Sequence, residues 1–131
     1  MAWNHEASAI KVTMEAAADL SAKQYHFVKV SAANKVNICS GGTDNPLGVL
    51  LNKPGSGEAA EVLVAGIGNV VAAAATVANA TIQLGTDGNG KAEAKTVVGT
   101  GRVVAQPLTA ASGADEVITV AINCLNPFET Q

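Results

Sequence analysis

Four side chains of this sequence have the chemistry to hold a metal: His5, His26, Cys39 and Cys124. Protein metal sites usually draw such ligands from close pairs, C-x2-C or H-x3-H, so that one turn delivers two donors. None of the four stands at that spacing, so no metal and no cofactor is expected. The acid–base candidates are Asp115 and Glu116. They are adjacent at the start of a strand, where successive side chains point to opposite faces, so they read as solvated charges. Gly66-x-Gly68 and Gly99-x-Gly101 each match half of a dinucleotide fingerprint. Neither has the third glycine or opens a helix, so no row of amides would converge on a pyrophosphate. Gly55-x-Gly57 belongs to a hairpin connector for the same reasons. No G-x-S-x-G elbow occurs, and neither histidine has a triad context. No catalytic residue is nominated, and the chain is expected not to be an enzyme.

Contact remains as the available chemistry. Trp3 is the one tryptophan, and it lies in a segment, Met1 to Ser8, with no sustained period. It either folds back as a cap or anchors the chain in a pocket of a partner, a role in which tryptophan is enriched. Ala2, Trp3, Asn4 and His5 are therefore the candidate contact residues of an N-terminal arm. Pro127 and Phe128 pose the same question at the other end.

The elements between these ends read as strands. Hydrophobic residues make up 48 % of the 131 residues but aromatics only 3 %, so the apolar mass is Val, Ala, Leu and Ile. Val and Ile suit a pleated, half-buried surface. Ala9–Met14 alternates apolar and polar, His26–Ser31 and Val36–Cys39 form a hairpin, and Gly85-Thr86-Asp87-Gly88-Asn89-Gly90 is the strongest turn. Gly66-Ile67-Gly68-Asn69 is expected to turn the chain before a strand over Val70–Val77, and Lys91–Lys95 to be a solvent-lapped strand.

Part of the chain occurs twice. Gly48-Val49-Leu50-Leu51 leads to Glu61-Val62-Leu63-Val64-Ala65, and Gly101-Arg102-Val103-Val104-Ala105 leads to Glu116-Val117-Ile118-Thr119-Val120. Upstream, Phe27-Val28-Lys29-Val30 leading to Asn34-Lys35-Val36 rhymes with Ile82-Gln83-Leu84 leading to Gly90-Lys91-Ala92. Two copies are too few for a solenoid, so the expected fold is all-β: a small barrel or sandwich from two diverged, duplicated hairpin units. The expected division is an arm over 1–8, one β-rich domain over 9–123 and a tail over 124–131.

The net charge of −3 gives no electrostatic footprint for nucleic acid or an anionic membrane. No apolar run nears the roughly 20 residues that cross a bilayer. No basic segment followed by an apolar one opens the chain, so no secretory leader is expected, and the Asn79-Ala80-Thr81 sequon carries no weight. Cys39 and Cys124 are expected to be buried free thiols.

The string Ala80-Thr81-Ile82-Gln83-Leu84-Gly85-Thr86-Asp87-Gly88-Asn89-Gly90-Lys91-Ala92, with the two apolar runs after it, resembles the small capsid cement proteins of tailed bacteriophages. Leu47-Gly48-Val49-Leu50 and Glu61 to Gly66 resemble the first half of the same family, and the similarity spans roughly Asp19 to Asn123. The resemblance implies a capsid decoration protein, functionally similar to the lambda head decoration protein. It implies a homotrimer at three-fold or quasi-three-fold positions, on the capsid exterior, clamping neighbouring subunits of the major capsid protein. It also implies a virion protein made and assembled in the host cytoplasm, with an N-terminal arm ordered against the shell. The alternatives are a phage tail or baseplate β-domain, or a small ligand-binding β-barrel such as a carbohydrate-binding module. Four aromatics argue against the last, because sugars are held by stacking.

Overall fold

The β-branched runs and turn signals translate into eleven strands in a computed structural model that describes residues 9–79, 82–95, 101–125 and 128–129. They are β1 (Ile10–Ala16), β2 (Phe27–Ala32), β3 (Lys35–Ile38), β4 (Gly48–Leu50), β5 (Ala59–Val71), β6 (Leu84–Thr86), β7 (Ala92–Ala94), β8 (Arg102–Val103), β9 (Ala105–Pro107), β10 (Val117–Asn123) and β11 (Phe128–Glu129). No helix occurs among the described residues. The fold is all-β, as expected.

The first five strands close on themselves in the order β1-β3-β2-β4-β5, because β5 pairs with β4 on one side and with β1 on the other. Closure removes the free edges on which an isolated hairpin would aggregate. All neighbours in this ring are antiparallel except β1 and β3. Phe27, Val28, Val36, Val49, Leu50 and Val62 are fully buried in it. Each such side chain contributes about 1.5–3 kcal/mol relative to exposure.

β5 runs on for thirteen residues, past the end of the first ring. Its second half pairs with β10 from Ala65↔Asn123 to Val71↔Val117, and β10-β9-β6-β7 continue from there. This second set curls back as well, and Ala72 meets Ala92 in a single parallel bridge.

The backbone shows that the two sets are copies. Ala17 N–H donates to Val36 O at 2.8 Å, and Ala73 N–H to Ala92 O at 2.8 Å. Leu20 N–H reaches Pro54 O and Thr76 N–H reaches Ala111 O. Cys39 N–H reaches Phe27 O and Lys95 N–H reaches Gln83 O. The ladder of β1 on β5 (Val12↔Val62, Thr13↔Glu61, Met14↔Ala60) recurs as that of β5 on β10 (Gly68↔Val120, Asn69↔Thr119, Val70↔Ile118). The first half of β5 therefore ends one unit, and its second half begins the next.

Three sequence readings need correction. The expected turn at Gly66–Asn69 is continuous strand, and the strand expected over Val70–Val77 ends at Val71. Gly66 sits at φ 133°, a backbone region that side-chain-bearing residues rarely adopt, where a Cβ would stand 3.1 Å from Ala9 Cα. The glycine allows a bend and a close approach inside the strand. The rhyme of Glu61 with Glu116 was also out of register. Gly55 N–H bonds the Glu58 carboxylate as Ser112 N–H bonds that of Glu116, so Glu58 is the counterpart. Gly48 pairs with Val28 as Ala105 pairs with Leu84, so Gly101 is not its counterpart. Finally, Lys91–Lys95 is not uniformly wetted. Ala92 and Lys95 are buried, and Lys95 Nζ donates to Gly42 O at 3.1 Å and to Glu93 at 2.9 Å.

Candidate functional site

The nominated arm residues Ala2, Trp3, Asn4 and His5 lie outside the described residues, as does Pro127. Phe128 pairs through its backbone with Val103, so the segment expected as a plain tail supplies the short strand β11. Among the described residues no three of His, Cys, Asp and Glu gather as a metal would need. Cys39 and Cys124 are buried free thiols, and burial pushes both up to about 12. A thiol so protonated is a poor nucleophile. Asp115 and Glu116 are exposed and point to different partners, Lys91 and Ser112. Gly66 and Gly68 lie within β5, not at the start of a helix.

One arrangement of polar groups was not legible as a motif. A concavity of about 440 Å³ opens where the two units meet, lined by Lys23, His26, Lys53, Lys91 and Asp115. The loop between β1 and β2 forms one side, and a dense set of hydrogen bonds fixes it. Leu20 N–H donates to Pro54 O, Lys23 N–H to Leu20 O, Tyr25 N–H to Leu50 O, and Gln24 Nε2 to Leu51 O. Tyr25 is held at φ 66°, uncommon for an aromatic residue. Strain of this kind persists where neighbours over-determine the backbone.

His26 is 7 % exposed. Its Nδ1–H donates to Gln24 O at 3.1 Å, since a carbonyl only accepts, which leaves Nε2 as the bare nitrogen of a neutral ring. Burial lowers its pKa, and the nearby charges of Lys23 and Lys91 lower it further. Across the concavity the Lys91 ammonium pairs with Asp115. Their hydrogen bond holds the carboxyl below its usual range and the ammonium above its own. Lys23 and Lys53 pair with no carboxylate among the described residues.

A separate apolar patch joins exposed Val30 and Leu125 to the half-buried Leu47. Beside it Asp44 accepts from Lys29 Nζ, Ser40 N–H and Gly41 N–H and fixes the loop before β4.

No protein-family model matches the chain, and no curated protein does. Among solved structures, the chain is similar to the head fiber gp8.5 N base of bacteriophage phi29. The TM-score is 0.65 at 17 % identity, over 88 % of this chain and 95 % of that one. At that identity the likeness establishes a shared fold, over nearly the whole length of both chains.

Proposed function

We propose that this chain is a structural protein of a phage virion, not an enzyme, that binds the outer surface of an icosahedral head. The observation that carries the reading is the fold shared with a phage head fiber base over 88 % of the chain. The resemblance of its strand and turn residues to the cement proteins supports the same direction. In this reading the protein decorates the head as a homotrimer at three-fold or quasi-three-fold sites and clamps neighbouring major capsid subunits. Association costs several kcal/mol of lost freedom. A trimer offsets that cost by engaging through three feet, since the second and third contacts are effectively intramolecular. The feet are the arm residues Ala2, Trp3, Asn4 and His5, with Pro127 and Phe128 as further contacts.

Ordering a segment costs roughly 1–2 kcal/mol per residue. Backbone pairing with a capsid strand edge and burial of Trp3 would offset it. The test is deletion of residues 2–8, followed by a melting curve and co-sedimentation with undecorated heads. The expected outcome is an unchanged melting temperature and lost co-sedimentation. Undiminished co-sedimentation would remove the arm from the mechanism. Failure of the full-length protein to co-sediment with heads would overturn the decoration reading itself.

A further inference from the structure

We propose that the concavity between the two units is a docking socket for the carboxylates of an acidic segment of a protein partner, with Lys23 and Lys53 as its recognition residues. The inference does not depend on attachment to a phage head.

The internal repeat serves as its control. His26 N–H donates to Lys23 O at 3.1 Å, and in the second unit Ile82 N–H donates to Asn79 O at 3.3 Å. Lys23 therefore corresponds to Asn79, and His26 to Ile82. Asn52 Oδ1 accepts from Glu61 N–H as Thr109 Oγ1 accepts from Thr119 N–H. With Pro54 matched to Ala111, the residue between them, Lys53, corresponds to Ala110. The same backbone is thus built once with Lys, His and Lys and once with Asn, Ile and Ala. The fold does not require the cations. Beside Ile82, the counterpart of His26, the second unit has a hollow lined mainly by apolar residues, among them Val77, Ala94 and Ala111.

The charge is concentrated as well as unrequired. Three of the eight Lys and Arg side chains line this one concavity on a chain of net charge −3. Asp115 pairs with one of the three ammonium groups, which leaves Lys23 and Lys53 with no carboxylate partner among the described residues. Like charges held together repel unless an anion joins them. The loop that carries Lys23 is fixed beforehand by its own hydrogen bonds, so little ordering accompanies binding. Separate monoanionic carboxylates suit two separate ammonium groups better than a phosphate does. The socket offers no guanidinium fork for a phosphate. The negative net charge disfavours a nucleic-acid backbone.

The test is proton NMR of the full chain, following the His26 ring signals and the amides of residues 21–24, with His5 as the second histidine for reference. The probes, at constant ionic strength, are acetyl-triglutamate amide, acetyl-triglutamine amide and inorganic phosphate. The expected result is a saturable shift with triglutamate and none with triglutamine. In the Lys23→Asn/Lys53→Ala variant the affinity should fall about tenfold, which is the scale that two screened lysine contacts allow. That variant installs residues the second unit already carries on the same backbone, and an unchanged amide spectrum elsewhere verifies its fold. No saturable shift with triglutamate, or the same shift in the variant, would overturn the proposal. So would a saturable response to phosphate without one to triglutamate, which would reassign the socket to phosphoryl groups.

Discussion

The two units hold the same backbone hydrogen bonds around different contents. In the first ring the positions of Leu20, Phe27, Val36, Cys39 and Val49 are all buried apolar side chains. Their counterparts in the second are Thr76, Gln83, Ala92, Lys95 and Gln106, of which only Ala92 and Lys95 are buried. The ladders and loop bonds therefore specify the fold, while side-chain volume can diverge. The second unit tolerates a thinner filling because one of its walls, the far half of β5, is an extension of the first ring. Stability should be concentrated in the first unit, and variation in the second should be better tolerated.

The largest effect should come from the most unequal pair. Phe27→Ala is expected to cost about 3–5 kcal/mol, as for other fully buried phenylalanines. Gln83→Ala should stay within about 0.5 kcal/mol, as for exposed substitutions. Urea unfolding of both variants measures this. Equal losses would break the comparison, because they would mean that both rings carry stability alike.

The next effect concerns the joint between units. Gly66 corresponds to Ile10, an exposed residue without a positive φ, at a register shift between β1 and β5. Gly66→Val should cost about 2–3 kcal/mol, through its φ of 133° and the contact with Ala9. Ile10→Val should cost about 0.5 kcal/mol or less. A Gly66→Val protein as stable as wild type would mean that β5 does not bend there.

The smallest effect separates His26 from Ile82. Burial and the neighbouring lysines lower the folded-state pKa of His26 below its unfolded value of 6.5. The unfolded chain then binds more protons in that range. The contribution of His26 to stability is complete above about pH 6.5 and is lost as pH falls through the lowered folded value. His26→Ile, the residue of the second unit, should flatten the stability profile just below about pH 6.5, measured as urea midpoints. An unchanged slope would mean that His26 is protonated as readily in the folded chain as in the unfolded one; Asp44, whose pKa is lowered by its hydrogen bond from Lys29, acts only at lower pH.

The all-β class was legible because Val-rich alternation and turn dipeptides are local signals. So was the match of Asn34-Lys35-Val36 with Gly90-Lys91-Ala92, which the ladders reproduce. The register of the longer rhyme was not, since Glu58 and Glu61 are equally acidic and only the cap on Gly55 distinguishes them. Gly66 and Gly68 read as punctuation because a glycine that ends a strand and one that bends it look alike in sequence. The socket was invisible for a different reason. Lys23, Lys53, Lys91 and Asp115 are far apart along the chain, and each alone is an ordinary surface charge. Only correct alignment of the copies sets two of those lysines against Asn79 and Ala110.

The strand shared by both rings has a mechanical consequence. Two domains joined by a linker bend at the linker, and a load on one need not reach the other. Here no linker exists between Ala65 and Gly66: the same ladder carries on from one ring into the next, with β1 and β10 gripping β5 on opposite sides at Ala65. Bending the units apart would shear hydrogen bonds on both flanks at once, so a pull or twist on one unit passes directly into the other. The continuous ladder is what would make the two units move as one stiff brace.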